Sequence, residues 1–192
     1  MAATVTIKEA NGATPTWSTR TSIRFSTADV AVPGLNYPLS IPKTGFRYSY
    51  WKTLCLEVAG DFSVISNVNI FSDGNIGYTV GTGGALLIGT KDTGDSGLPI
   101  ADYDQADGEE GISGYAMGDA VTGHAVYKGA GYTVKDIELY TSGAPLLVDS
   151  DEHVAAGKVK AIVLQVKCDT VVNGALPGVQ TAETLVFQYD EI

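Results

Sequence analysis

The sequence predicts an all-β protein: an antiparallel β-sandwich of jelly-roll or related Greek-key topology, carrying one long acidic, glycine-rich loop. Three observations predict it. Apolar residues recur at every second position in segment after segment. Glycine is abundant, at 23 of 192 residues, without a Gly-X-Y period. No stretch carries the repeating apolar stripe of an amphipathic helix. Period-two alternation places one apolar row on one face of a pleated ribbon, so each strand needs a second layer to cover that face. A chain of this length can bury one core, and residues 1–192 are read as a single domain.

Residues 4–8 and 22–26 read as short opening strands, separated by the turn formers Asn11-Gly12 and Pro15. Residues 32–44 hold Pro33, Pro38 and Pro42, which cannot donate to a ladder, so this segment is an extended arm or crossing loop. Residues 46–58 alternate most clearly. Phe46, Tyr48, Tyr50, Leu54, Leu56 and Val58 stand between Arg47, Ser49, Thr53 and Glu57, predicting one long strand with both tyrosines on its apolar row and Trp51 on the opposite face. After Gly60-Asp61, the residues Phe62, Val64, Ser66, Val68 and Ile70 alternate in the next strand, which Ser72-Asp73-Gly74-Asn75 closes with turn chemistry. Ile76, Tyr78 and Val80 predict a further short strand, and residues 85–88 another.

The pattern changes at residues 91–118, where Asp92, Asp95, Asp102, Asp104, Asp107, Glu109 and Glu110 arrive among glycines with few β-branched residues. This predicts one solvated loop, functional by its length and removable without loss of the fold. Order resumes at residues 132–140 and 146–148, with at most one or two helical turns over 150–156. Ile162, Leu164, Val166 and Cys168 then alternate with Val163, Gln165 and Lys167. Leu185, Phe187 and Tyr189 form a final strand after Asn173-Gly174 and Pro177-Gly178. Parity sets Cys55 on the face of Thr53 and Glu57, and Cys168 on the face of Ile162, so both thiols are expected to be free.

A formal charge of −10 repels phosphate backbones and anionic lipid, so neither nucleic acid nor a membrane is an expected partner. No apolar run is long enough to span a bilayer, and the first residues lack a basic, then apolar, signal pattern; synthesis in the cytoplasm is the expectation. Two cysteines exclude a disulfide framework, and with two scattered histidines they give no zinc spacing.

Several strings imitate catalytic or binding motifs. Gly94-Asp95-Ser96-Gly97 matches the core of a serine-protease nucleophile loop, but both histidines, His124 and His153, lie downstream and Leu98 replaces the next glycine, so a turn is expected. Residues 84–91 mimic a phosphate loop with Gly-Thr-Lys in place of Gly-Lys-Ser/Thr, and read as a hairpin strand. Asp102, Asp104, Asp107 and Glu109 are calcium candidates, although Ala106 and Ser113 stand where an EF-hand needs ligands. Trp51, with Tyr103 and Tyr115, offers aromatic faces for a sugar or a protein partner. No catalytic residue and no cofactor is expected.

Residues 52–75, with the pattern Leu-Glu-Val-Ala-Gly-Asp-Phe-Ser-Val, resemble β-sandwich structural proteins of tailed-phage virions. The end of the chain is similar in its turn and strand signatures: Ala156-Gly157 leading into 159–168, Pro177-Gly178, then Thr181-Ala182-Glu183 and residues 185–191. The resemblance implies a virion location and a head decoration or cement role, or else a neck or tail component. The implied partners are the major capsid protein or other virion proteins, with copies of this chain as a homo-oligomer. Pro33, Pro38, Pro42, Trp51, Tyr103 and Tyr115 are the partner-binding candidates on this reading. A carbohydrate-binding or adhesion module is the alternative.

Overall fold

A computed structural model describes residues 2–192. Its strands are β1 (Ala3–Asn11), β2 (Thr16–Thr19), β3 (Arg47–Tyr48), β4 (Lys52–Gly60), β5 (Ile65–Ser72), β6 (Ala85–Lys91), β7 (Gly108–Glu109) and β8 (Ser113–Gly114). They continue with β9 (Tyr132–Asp136), β10 (Leu146–Asp149), β11 (Gly157–Lys158), β12 (Ile162–Cys168) and β13 (Leu185–Glu191). Helix is confined, among the described residues, to three short 3-10 turns.

Every named pairing is antiparallel. The large sheet runs β2–β1–β4–β12–β6–β9, with β11 extending along β4 and the β3, β7, β8 ladder attached at β12. The small sheet is β10–β5–β13. The two contribute to one apolar cluster: Leu54, Leu56, Val58, Ile88, Ile162 and Leu164 from the large sheet meet Ile65, Val68, Ile70, Leu146 and Val148 from the small one. Burial of each such side chain contributes about 1.5–3 kcal/mol, and this cluster is the main source of the fold's stability.

Register irregularities at residues 49–51 and in β5 reset the alternation, and a third lies in β10 between Leu147 and Asp149. Leu164 faces Lys52 and Lys167 faces Tyr48, so three steps along β12 match four along the 48–52 segment. The extra residue falls at Ser49–Trp51. It divides the predicted 46–58 strand into β3 and β4, and it turns Tyr50 off the apolar row to the outer face of the large sheet, beside Trp51. In β5, two steps from Gln188 to Asp190 match three from Asn69 to Ser66, and Asn67 takes φ 51°. Ile65 therefore joins Val68 and Ile70 in the core, where strict alternation had put Val64. Other expectations shift as well. The second strand is β2, not 22–26; residues 76–80 form only the bridge Val80–Ala175; and 150–156 carries no helix. Cys55 and Cys168 are both free and buried.

The segment 92–131 is not the solvated loop its composition predicts. It leaves and rejoins the β6–β9 hairpin at its tip, where Lys91 pairs with Tyr132 and Asp92 N–H donates to Gly131 O at 3.0 Å. Between these ends it lies over the outer face of the large sheet and builds a second core from Leu98, Ala106, Met117 and Tyr127 against Tyr50, Trp51 and Val163. Gly89 admits the Tyr127 ring, which a Cβ there would overlap. Gly89→Ala is accordingly expected to cost about 1–3 kcal/mol in thermal or urea unfolding, whereas Gly94→Ala, facing open space but at φ 81°, tests backbone conformation alone.

Beside this layer a charged pair is buried. Lys52 Nζ lies 2.7 Å from Glu9 Oε1 and donates to Val30 O at 2.7 Å, while Arg20 Nε reaches Glu9 Oε2 at 3.2 Å. Both Glu9 and Lys52 fall at positions that alternation assigns to the apolar rows, with Val5 and Ile7 in one strand and Leu54 and Leu56 in the other. Both side chains are fully buried, so the charges are paired with each other, with Arg20 and with Val30 O rather than solvated.

Candidate functional site

Among the described residues, one group of three carboxylates converges: Asp95, Asp149 and Asp151 bring oxygens within 4.8 Å of one another. Lys160 Nζ lies among them, at 2.7 Å from Asp95, 3.0 Å from Asp149 and 2.7 Å from Asp151. Asp149, fully buried, also accepts from Lys160 N–H and Asp151 N–H and bonds His153 Nε2 at 3.0 Å. Burial pushes the Asp149 and Asp95 carboxyls up, but the hydrogen bonds from Lys160, Asp151 and Ser150 outweigh it and hold both below the usual carboxylate range. The lysine ammonium occupies the point where the three carboxylates converge and donates to each of them. The cluster is a structural tie between the start of the insertion, the end of β10 and Lys160 on the approach to β12.

The serine-protease imitation comes apart in space. Ser96 is buried, and its Oγ accepts from Lys91 N–H at 3.2 Å, while Asp95 belongs to the lysine cluster. No hydrogen bond joins Ser96 to either histidine among the described residues. His124 is buried between Trp51 and Tyr127, with ring centroids 5.6 Å and 5.0 Å away. Its Nδ1 accepts from Val126 N–H at 3.2 Å, so the neutral ring carries its proton on Nε2, a buried atom with no partner. Burial holds this imidazole down at about 4 despite the carboxylates of Asp104 and Asp102. Residues 84–91 are strand β6 with its lead-in glycine, as expected.

The partner-binding candidates divide. Trp51 is 3% exposed and donates from Nε1 to Asp104 O at 3.0 Å; it is a core residue, not a platform, because the insertion covers it. Pro33 and Pro42 are buried and Pro38 is exposed. Tyr103 is half-buried, its hydroxyl donating to Gly12 O at 3.0 Å, while Tyr115 stays exposed. The calcium candidates Asp102, Asp104, Asp107 and Glu109 form no converging group of three. Asp104 instead accepts from Ala125 N–H at 2.7 Å, and Asp107 accepts from the adjacent Gly108 N–H at 2.7 Å.

Two surface features remain. The arm carries exposed apolar side chains, with Val32 and Leu35 each 75% exposed and Tyr37 and Phe46 partly so; Ile112 and Tyr115 are exposed beside the β7–β8 turn. Hydrogen bonds hold these regions together: Thr27 N–H donates to Tyr37 O, Gly111 N–H to Thr27 O, and Arg47 Nη1 to both Ser40 Oγ and Ile112 O. At the base of the arm a cleft of about 500 Å³ opens between residues 28–30 and 105–110, with Tyr50 in its wall and Asp29, Asp107 and Glu110 around it. Sequence reasoning missed Asp29, Gln105 and Glu110 as a group. Their partners lie far apart along the chain, and no spacing rule links them. No family model, no curated protein and no solved structure matches this chain.

Proposed function

We propose that this chain is a non-enzymatic structural subunit of a virus particle, a decoration or cement protein that meets the major capsid protein or other virion proteins through its arm. The observation that carries the reading is the exposed apolar run of Val32, Leu35, Tyr37 and Phe46, tied by hydrogen bonds to the turn bearing Ile112 and Tyr115. Large apolar side chains left together in water on a small protein mark a contact surface. The sheets beneath, read as a sandwich of jelly-roll or Greek-key type, give that surface a rigid support, and many copies on one particle multiply weak contacts.

The test is the double substitution Val32→Ser with Leu35→Ser. Both side chains are exposed, so the melting temperature is expected to stay within the small range of surface changes. Binding to capsid particles in co-sedimentation is expected to fall by about tenfold to a hundredfold, the equivalent of losing roughly 1.5–3 kcal/mol of apolar burial. Undiminished co-sedimentation would remove the arm from the contact.

A further inference from the structure

We infer that the cleft between residues 28–30 and 105–110 is a binding site for an organic cation bearing several N–H donors, an alkylammonium or a guanidinium. The inference goes beyond the virion reading and does not depend on it. The argument starts from which polar atoms in the cleft are still free. Asp29 is engaged: Oδ1 accepts from Asn11 Nδ2 at 2.9 Å, and Oδ2 from Gly12 N–H at 2.8 Å and Gln105 Nε2 at 2.9 Å. With its amide nitrogen committed to Asp29, Gln105 presents Oε1. Asp107 has used Oδ1 on Gly108 N–H and keeps Oδ2, and Glu110 has both oxygens free. These free groups are acceptors, and no lysine or arginine lines the cleft.

Tyr50 is the second, independent observation. Its side chain is 6% exposed, it lines the cleft, and its hydroxyl has no hydrogen-bond partner among the described residues. The buried part is the ring; the hydroxyl oxygen itself reaches the open cleft, where a ligand can meet it. Burial, followed by the charges of Asp107, Glu110 and Asp29, pushes this phenol up, so it stays neutral and offers a lone pair together with an aromatic face. An ammonium or guanidinium satisfies the whole lining at once: its N–H groups meet the free oxygens and its charge lies near the ring and the carboxylates. A bare divalent ion does not fit this arrangement. A hard cation draws its oxygens within one coordination sphere, whereas no three acidic groups around the cleft converge and the volume, about 500 Å³, suits an extended organic ligand.

The ligand could be supplied by a partner protein's arginine or lysine side chain, or by a free polyamine. Isothermal titration of the isolated full chain with spermidine, with a short arginine-rich peptide and with calcium chloride distinguishes them. Saturable binding of spermidine or of the peptide is expected, and the tighter of the two names the source. Asp107→Asn combined with Glu110→Gln is expected to weaken it at least about tenfold, and Tyr50→Phe by about threefold. The control pair Asp61→Asn and Glu152→Gln removes the same charge from exposed positions away from the cleft and is expected to change binding less than about twofold. Three outcomes would overturn the assignment: no binding of either organic probe at millimolar concentration, equal losses in the cleft and control pairs, or calcium binding more tightly than both and lost in the cleft pair. Arm variants leave the cleft residues unchanged, so failure here and failure of the virion reading are separate results.

Discussion

Replacing Gln165 by alanine is expected to lower the unfolding free energy by about 3 kcal/mol. Gln165 is fully buried at the centre of β12 and saturated on its outer side. Its Oε1 accepts from Met117 N–H at 2.8 Å, and its Nε2 donates to Ser49 O at 2.8 Å and Tyr115 O at 2.6 Å. One amide therefore ties the sheet, the bulge and the insertion together. Truncation orphans a backbone donor and two carbonyls at once, each costing about 1–3 kcal/mol where water cannot enter. Gln165→Glu separates the hydrogen bonds from the volume: it keeps the acceptor, loses both donated bonds and buries a charge, so it should be no better than alanine. The urea midpoint reads the result, and a midpoint unchanged in both variants would mean that the insertion is held by its apolar contacts alone. The same reasoning reverses the expectation that residues 92–118 can be excised without loss, because their removal would uncover Trp51 and Val163.

A second large effect is an acid limb set by His124. In the unfolded chain an imidazole takes up its proton near 6.5, whereas in the fold burial delays this to about 4. The geometry gives the reason. Protonation must occur at Nδ1, which accepts from Val126 N–H, and the resulting charge would lie between Trp51 and Tyr127 with Nε2 unpartnered. Between these two values the unfolded state binds the proton that the native state refuses. Stability is therefore complete above about 6.5, falls as the pH drops through this window by roughly 3 kcal/mol, and levels off below it. Asp95 and Asp149 act at lower pH: their contribution is present above the ordinary carboxylate range and is lost as the pH falls through their lowered native values. His124→Asn, whose Oδ1 can accept from Val126 N–H, should flatten the upper limb and leave the lower one. Denaturant unfolding from pH 7 to pH 4 checks this, and an undiminished upper limb in the variant would assign it to other groups.

Alternation made the antiparallel, strand-dominated character of the chain legible, together with β1, β4, β6, β10, β12 and β13, because each sets apolar residues at period two against the shared core. It failed wherever an extra residue entered a strand. Nothing about Ser49 or Asn67 announces a bulge, yet each shifts which neighbours face the core, so alternation sets Tyr50 on the row of Leu54 and Val64 in the interior. The insertion was misread for a related reason. Leu98, Ala106 and Met117 anchor it singly through turns, spaced too widely to give a periodic signal, and the acidic residues between them dominate its composition. The cleft was illegible because its walls come from residues 28–30, Tyr50 and 105–110, three segments brought together only by the bulge and the folded-back insertion.

The position of β12 governs how the molecule can be made. It joins β4 to β6, yet it comes after both, so a nascent chain displays two ribbons with bare hydrogen-bonding edges until residue 168 has left the ribosome. Sheet closure then waits on the translation of β12, and contacts of such long range close slowly. Chaperone demand during synthesis should accordingly be set by that single late strand rather than by the stability of the finished protein.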